Sequence, residues 1–470
     1  MKTPWILGFL TILALNGVAF ATAPTPPNIL FILIDDLGWA DVGCFGSRYY
    51  KTPAVDRLAA QGMKFTQAYA ACAVCSPTRA AILTGKAPAR LHITDWIAGE
   101  GAPKNSRFLI PDWQQNLPLE ETTLAEALKD RGYATGHIGK WHLGGAAFSP
   151  KNHGFDLNVA GGDIGHPASY FWPYGKEGAS HRVPGLAERG GREGEYLTDQ
   201  LTDEAIKFIQ DHRNGPFYLQ LWHYTVHSPL MGKPGLVDEF ERQPGSNGQS
   251  NAVYAAMVRS MDDSIGRILN TLEDLHLSDH TIVVFTSDNG GAVHFGKPPA
   301  TSNLPLRSGK GFAYEGGLRV PLLLKVPGVT QPGTTCTEPV ISCDFFPTLL
   351  ELAGAPAAVR RKGVDGTSLV PLLRGKEALP HRSLCWHYPH YWNGGAVSPY
   401  SVIREDSWKL IRFYESGREE LYNLAADPSE QRDRASAEPA RLRKLGRKLD
   451  TWLRETGAQL PVERQKAGEP

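Results

Sequence analysis

The chain has 470 residues, with 49 Lys and Arg against 49 Asp and Glu, 49 Gly, 35 Pro and 41% hydrophobic residues. This ordinary globular composition excludes a disordered, a collagen-like or a small disulfide-stapled protein. A formal charge of zero leaves no basic surface field, so no nucleic-acid partner is expected. An anionic ligand would have to be held by local basic residues.

The first residues have the pattern of an export signal. Lys2 precedes an apolar run over 6–18, and Ala19-Phe20-Ala21 is a small-residue cleavage site, with Ala21-Thr22-Ala23 as a second option. The apolar run is too short to span a membrane. We therefore predict a signal peptide over 1–23, cleaved near Ala21 or Ala23, and a secreted or periplasmic protein without a membrane span.

The next 350 residues alternate between buried strands and helices. The continuous apolar run Asn28–Ile34 predicts a strand that is buried on both faces, as in a parallel sheet. This alternation predicts a mainly parallel sheet between helices. The further predicted elements are helices over 56–62, 122–132 (capped by Thr122 or Thr123 and ended by Gly132), 198–212 and 253–275, strands over 133–141, 217–224 and 281–286, and a loop that enters a helix over 75–85.

The pattern changes near Pro380. Short alternating runs over 384–388, 400–404, 408–414 and 420–424 predict an antiparallel sheet. A last helix over 439–456, ended by Gly457, carries an apolar face of Leu442, Leu445, Leu449, Trp452 and Leu453. We predict a main domain over 24–379 and a smaller C-terminal α+β subdomain over 380–470.

The six cysteines are 44, 72, 75, 336, 343 and 385. Export would permit disulfides, and Cys336 and Cys343 are the pair predicted to form a local bridge. Cys72-Ala73-Val74-Cys75 has the spacing of a redox pair, but the strand and helix context of a thioredoxin-like motif is absent upstream.

The residues after Cys75 point to a different chemistry. Pro77 is typical of a first helical position, which would place Cys75 just outside a helix amino terminus, beside free N–H groups and the positive end of the helix dipole. Arg79 can point back along the same face. A buried thiol before a proline-capped helix is the structural alternative for so short a pattern.

Acidic residues follow two of the predicted strands. Asp35-Asp36 ends the first strand, and Ser287-Asp288-Asn289-Gly290 ends the strand over 281–286. Ligands of open α/β sheets bind outside the carboxyl ends of strands, and carboxylate and amide oxygens suit Ca²⁺ or Mg²⁺ rather than Zn²⁺. Each segment alone is also typical of a turn or a helix cap, but the two together predict a metal site.

The segment from Cys75 to Gly85 resembles the signature of the sulfatase family. In that family the cysteine of a C-x-P-x-R motif is oxidised by a maturation enzyme to formylglycine, whose hydrated aldehyde is the nucleophile. Thr78 stands where many members carry serine, and it retains the hydroxyl. The resemblance implies an enzyme that hydrolyses sulfate monoesters, with the formylglycine-generating enzyme as a partner during maturation.

Other segments resemble further parts of the same family. Gly139-Lys140-Trp141-His142-Leu143, whose Lys140 and His142 would share one face of the predicted strand, is similar to an element whose lysine bridges sulfate and formylglycine and whose histidine hydrogen-bonds the hydrated aldehyde. His227 matches an H-x-P histidine, and Lys310 matches a second lysine. The resemblance implies one Ca²⁺ per chain, the catalytic residues Cys75, Arg79, Lys140, His142, His227 and Lys310, and the metal ligands Asp35, Asp36, Cys75, Asp288 and Asn289.

The resemblance also implies a fold and a division of roles. The fold is the alkaline-phosphatase-like α/β sandwich with a small C-terminal antiparallel domain, in agreement with the predicted elements. His227 would protonate the leaving alcohol, and His142 would take the proton that triggers sulfate release. His223 has no family counterpart and is interpreted as structural.

Two aromatic clusters, over 167–174 and 386–392, suggest the substrate class. Trp172 and Trp392 in these clusters could form a rim that stacks on sugars, which favours sulfated carbohydrate. The site is predicted at the bottom of a cleft at the strand ends, which favours action at chain ends. Ordinary packing is the alternative for both clusters. Two other functions stay open: a phosphoesterase of the same superfamily, and a catalytically silent Ca²⁺-dependent glycan-binding protein in which Cys75 stays unmodified.

Overall fold

A computed structural model describes residues 26–376, 378–392 and 396–465. The predicted signal peptide over 1–23 lies outside these residues. Within them, no helix combines the length and apolarity that crossing a membrane requires.

The strands of the described residues form one large mixed sheet, one small antiparallel sheet of four strands and one two-stranded antiparallel pair. They are β1 (Asn28–Ile34), β2 (Met63–Tyr69), β3 (Phe108–Leu109), β4 (Ala134–Gly139), β5 (Leu157–Val159), β6 (Phe217–Trp222), β7 (Thr281–Ser287), β8 (Arg319–Lys325), β9 (Thr334–Cys336), β10 (Val340–Ile341), β11 (Ser383–Tyr388), β12 (Tyr400–Glu405), β13 (Trp408–Phe413), β14 (Glu419–Asn423) and β15 (Val462–Glu463). The large sheet has the order β10-β2-β8-β7-β1-β6-β4-β5, with β9 also paired to β2, and the two-stranded pair is β15 with β3. The centre of the large sheet, β7-β1-β6-β4-β5, is parallel, and β8 runs antiparallel to both β7 and β2.

Helices cover both faces of the large sheet. They are α1 (Pro53–Gln61), α2 (Cys75–Thr84), α3 (Pro88–Leu91), α4 (Leu124–Lys129), α5 (Leu197–Asp211), α6 (Pro234–Glu241), α7 (Ala252–Asp274), α8 (Glu315–Leu318), α9 (Phe345–Leu352), α10 (Ala357–Arg361), α11 (Val370–Leu373) and α12 (Pro439–Glu455). Every residue of β1 is buried; Leu30 and Ile32 face a core shared with α5 and α7, whereas Phe31 faces a core shared with α2 and α9. This two-sided burial explains why β1 is a continuous apolar run.

The predicted mainly parallel sheet between helices is confirmed, with small shifts at the element ends. Thr123 is the cap of α4 and forms a capping box with Glu126. The strand predicted over 133–141 ends at Gly139, whose φ of 109° turns the chain away from the sheet.

The small sheet is packed on both faces. The strands β11 to β14 form an antiparallel meander in chain order. Leu445 and Leu449 of α12 pack on one face against Leu410. On the other face, Trp386 and Tyr400 pack against residues around the amino terminus of α2. The small sheet and α12, which together we call the C-terminal unit, thus lie directly beside the segment that carries Cys75.

The bridge predicted between Cys336 and Cys343 is wrong. All six cysteines are free thiols. Cys343 is buried beside Ala71 and Ala81 and donates its thiol to the Lys86 carbonyl at 3.4 Å. Cys336 lies instead in β9 and packs against a different core. Short sequence separation did not bring the two side chains together, because they face separate clusters.

Candidate active site

The acidic residues meet at the carboxyl ends of β1 and β7. The two strands are parallel neighbours, with Ile34 opposite Ser287, so the residues that follow them lie side by side. The Asp36 N–H donates to Asp288 Oδ1 at 3.2 Å, and Asn289 Nδ2 donates to Asp36 Oδ1 at 2.8 Å. The predicted juxtaposition of these segments is present in the structure.

Cys75 lies at the start of α2, opposite these carboxylates. The helix begins at Cys75 itself, with Val74 as its cap, so Pro77 is the third helical residue rather than the first. Proline is tolerated there because the first four N–H groups of a helix have no partner within the helix. Cys75 Sγ lies 3.3 Å from His142 Nδ1. Burial raises the pKa of the Cys75 thiol.

Arg79 points from α2 into the acidic cluster. Its Nε and Nη2 donate to Asp288 Oδ2 at 3.0 and 2.7 Å, and its Nη2 lies 3.8 Å from Asp35 Oδ1. The Arg79 side chain is fully buried, and its Nη1 donates to the Lys140 carbonyl at 2.8 Å. The guanidinium therefore links α2, the end of β7 and the loop after β4.

Lys140 and His142 reach the site from that loop, not from alternating positions of a strand as predicted. Because β4 ends at Gly139, both residues follow the strand, and His142 adopts a φ of 58°. Lys140 Nζ donates to Asp35 Oδ2 at 2.7 Å. His142 Nε2 donates to the Ile97 carbonyl, which leaves Nδ1 without a proton on the side of Cys75. Burial, followed by the charge of Lys140, lowers the pKa of His142 well below its usual value.

Lys310 and His227 form the opposite wall. Lys310 Nζ donates to Asp36 Oδ2 at 2.9 Å and to His227 Nε2 at 3.0 Å. Burial, the largest single effect, would lower the pKa of Lys310, but Asp36, Cys75 and Asp35 together outweigh it and raise the pKa. Burial, followed by Lys310, lowers the pKa of His227 well below its usual value. The imidazole is therefore neutral: its Nδ1–H donates to the Ser228 carbonyl at 2.8 Å, and its Nε2 accepts.

The acidic cluster fits a hard cation. Asp35 Oδ1 and Asn289 Oδ1 are buried and have no hydrogen-bond partner, and leaving such oxygens unpaired costs about 1–3 kcal/mol each. Burial, which outweighs the attraction of Lys140, raises the pKa of Asp35 to about 8. The positive charges around Asp35 therefore do not fully offset the burial of its carboxylate. Oxygens of Asp35 and Asp36 and an imidazole nitrogen of His227 lie within 4.8 Å of one another.

A cavity of about 560 Å³ opens above Cys75. Trp392 lines it, whereas Trp172 does not: Trp172 packs against the core of the large sheet. The prediction that Trp172 forms part of a rim around the substrate is therefore wrong. His223 is buried beside Ser264 and does not line the cavity. Further lining residues are Trp96, Ile97, Ala98, Asp163, His166, Ser180, His181 and Phe295.

Most of these lining residues were not singled out from the sequence. His166 and His181 lie in the loop after β5, and their rings stack 4.0 Å apart; His166 is also parallel to His227 at 5.8 Å. The occurrence of two histidines in that loop is the sequence feature that could have indicated them as site residues. No pattern marks the segment around Trp96, because its place in the wall depends on tertiary contacts.

Comparison with known proteins decides the family. The sequence model of the Sulfatase family matches residues 27–355, which is more than half of the chain. The chain belongs to the sulfatase family. A second model, described as "N-sulphoglucosamine sulphohydrolase, C-terminal", matches residues 308–458 of this sulfatase.

Individual relatives agree with this assignment. This sulfatase is 36% identical to steryl-sulfatase of Mus musculus, over 82% of the chain and 72% of the relative. It is 36% identical to N-acetylgalactosamine-6-sulfatase of Homo sapiens, over 80% and 73%. Among solved structures, Ps i-CgsB in complex with k-i-k-neocarrahexaose has a TM-score of 0.77 and 29% identity, over 94% of this chain and 96% of that one.

Proposed function

We propose that this sulfatase is exported and removes sulfate from the chain ends of sulfated carbohydrate, by means of a formylglycine made from Cys75 and one Ca²⁺. The observation that carries the proposal is the convergence of His142, Lys310 and His227 on residue 75 at the base of one cavity. The pattern of residues 1–23 supports export. We retain residues 24–379 as the catalytic domain and 380–470 as the C-terminal subdomain of this proposal.

The proposed metal ligands are Asp35, Asp36, Asp288, Asn289 and residue 75, where the Cys75 sulfur stands in for an oxygen of formylglycine. When bound, Ca²⁺ supplies positive charge that lowers the pKa of a hydroxyl and offsets charge on the sulfuryl group. Formylglycine supplies a hydrated aldehyde, with one hydroxyl to attack sulfur and a second whose deprotonation expels sulfate. The unpaired Asp35 and Asn289 oxygens support the metal assignment.

The side chains around residue 75 then have distinct roles. Arg79 and Lys140 orient the nucleophile, because both are fixed to the carboxylates that surround it. Lys140, Lys310 and His227 bind the sulfate group. His142 takes a proton through Nδ1, which faces residue 75 and carries none.

His227 protonates the leaving alcohol in this proposal, but it needs a proton source. Its Nε2 accepts a hydrogen bond from the Lys310 ammonium in the structure, and the imidazole is neutral. We therefore infer that Lys310 supplies the proton that His227 passes to the leaving alcohol. Lys310→Met should accordingly slow release of a poor leaving group, such as a sugar alcohol, more than release of an activated phenol.

Two features support a carbohydrate substrate. The lining of the cavity includes Asp163, His166 and His181, which can hydrogen-bond hydroxyl groups. It also includes Trp96 and Trp392, which can stack on a sugar face. One of the related structures carries a neocarrahexaose, and one relative is an N-acetylgalactosamine-6-sulfatase. We propose action at chain ends because residue 75 lies in a cavity of about 560 Å³, and such a cavity admits a terminal residue more easily than an internal one.

The proposal is tested by turnover of a panel of sulfated monosaccharides and oligosaccharides, before and after removal of metal with a chelator. We expect sulfate release from at least one sugar, its loss on chelation and its recovery with Ca²⁺. Turnover of aryl or steryl sulfates without any sugar would contradict the substrate class. Full activity after exhaustive chelation would contradict the metal.

The same panel decides between the alternatives. A phosphoesterase would prefer phosphate esters and bind more than one metal ion per chain. A silent glycan-binding protein would bind sulfated sugars with an unmodified Cys75 and release no sulfate.

A further inference from the structure

A short segment over 94–98 forms part of the cavity wall. Its residues Trp96, Ile97 and Ala98 line the cavity. The Ile97 carbonyl accepts the hydrogen bond from His142 Nε2, and the Ile97 N–H donates to Ser76 Oγ at 3.2 Å. One residue of this segment therefore contacts both the histidine and the first turn of the helix that carries Cys75.

The other end of the segment is held by the C-terminal unit. Asp95 is fully buried, and its Oδ1 accepts hydrogen bonds from the Tyr388 hydroxyl at 2.9 Å and from the Trp96 N–H at 2.8 Å. His390 Nε2 and Thr94 Oγ1 are 2.7 Å apart, and His390 Nδ1 lies 3.8 Å from Asp95 Oδ2. Tyr388 is the last residue of β11. Neither Tyr388 nor His390 lines the cavity.

The position of the Ile97 carbonyl determines the tautomer of His142. A carbonyl can only accept, so the contact requires a proton on Nε2 and leaves the Nδ1 lone pair aimed at residue 75, where Sγ lies at 3.3 Å. Without that acceptor, the tautomer with Nδ1–H becomes accessible, and it cannot take a proton from residue 75. Partners that fix a tautomer in this way strongly affect activity without touching substrate.

We propose that Asp95 and Tyr388 are positioning residues for His142, through which the C-terminal unit holds segment 94–98 so that Ile97 fixes the His142 tautomer. This inference rests on the role proposed above for His142 as proton acceptor at position 75. It gives the small antiparallel sheet a part in catalysis as well as in packing.

The test compares variants by ¹⁵N NMR of the imidazole groups and by steady-state kinetics. Tyr388→Phe removes one hydroxyl and retains the ring that stacks 5.3 Å from Tyr400. We expect a mixture of His142 tautomers and a roughly tenfold lower kcat, with KM changed by less than about twofold, because a misplaced proton acceptor affects chemistry more than binding. Thr94→Val, which removes the contact with His390, should change both readouts in the same direction.

Matched variants separate positioning from general damage. Asp95→Ala should lose activity, and Asp95→Asn should rescue most of it because an amide oxygen still accepts from Tyr388. Tyr391→Phe also removes the hydroxyl of a tyrosine of the C-terminal unit, one that donates to Glu415, and should leave the His142 tautomer unchanged. His142→Gln identifies the His142 signals and sets the size of the maximal loss.

Each outcome is decisive. A wild-type protein that releases no sulfate would contradict the proposed function, whereas wild-type kcat in His142→Gln would remove only the role proposed for His142 and, with it, the positioning inference. If His142→Gln loses activity but Tyr388→Phe and Thr94→Val retain the wild-type tautomer or kcat, only the positioning inference is overturned. An equal loss in Tyr391→Phe would also overturn it.

Discussion

At the scale of single residues, the site is a balance of buried charges. Lys140 pairs with Asp35, Lys310 with Asp36, and Arg79 with Asp288, so three cations neutralise three carboxylates. A doubly charged cation added to this set would balance a sulfate monoester and one deprotonated hydroxyl. Fixed charges of this kind stabilise a transition state effectively, because little reorganisation is needed during the reaction.

Asp288→Asn tests this balance. The variant should bind Ca²⁺ much more weakly, lose sulfate release and be destabilised by about 3 kcal/mol, because the buried Arg79 loses its principal partner. Metal content by mass spectrometry, turnover and denaturant unfolding provide the readouts. The matched control is Asp344→Asn, which breaks the buried pair with Arg382 elsewhere in the chain. It should lose stability but retain metal; a retained metal in Asp288→Asn would contradict the assignment.

At the scale of elements, patterns of apolar residues predicted most of the fold. β1, α5 and α7 lie within one residue of their predicted ends, since each has a distinct buried face. The sequence could not show where β4 stops, because a glycine and a close approach to the Trp222 carbonyl end it, and the latter is a tertiary contact. The carboxylates and cations of the site come together as predicted, but segment 94–98 carries no sequence pattern.

The docking of α12 makes a prediction about pH. Lys444 and Lys448 of this helix contact Glu405 of β12. Burial would raise the pKa of Glu405, but the hydrogen bonds from Lys448 and Lys444 outweigh it and lower the pKa to about 2. A carboxyl whose pKa is lower in the folded than in the unfolded state stabilises the fold above its unfolded pKa, and this contribution is lost as the pH falls toward 2.

The Tm of Glu405→Gln should therefore lie below that of the wild type at pH 6, and the gap should narrow between pH 4.5 and pH 3. Thermal unfolding across this range measures it. Glu463→Gln is the control, since Glu463 forms an exposed pair with Arg107 and should leave Tm nearly unchanged. A gap for Glu405→Gln that is constant with pH would contradict the stated role of the ion pairs.

At the scale of the whole molecule, the cavity is lined both by loops of the large sheet and by the chain after β11. Trp392, which follows β11, lies 5.9 Å from Phe295 in the loop after β7. The sequence marked this tryptophan as a candidate rim residue but gave Trp172 equal weight. Only tertiary packing distinguishes them, because both lie in segments rich in aromatic residues.

Trp392→Ala should reduce turnover of a sulfated oligosaccharide at least about tenfold more than turnover of a small aryl sulfate, because only the sugar reaches the rim. Trp172→Ala should affect both substrates equally, through packing alone. Kinetics on the two substrates measure the ratio. Equal losses in Trp392→Ala would remove this residue from substrate recognition.

The central claim is that residue 75 acts as formylglycine. Its most direct test is peptide mass spectrometry of residue 75 in several preparations made with differing amounts of the maturation enzyme, compared with sulfate release by each preparation. We predict formylglycine at position 75, turnover proportional to the modified fraction, and no turnover in Cys75→Ala. Full sulfate release from protein that carries only a thiol at position 75 would contradict the account.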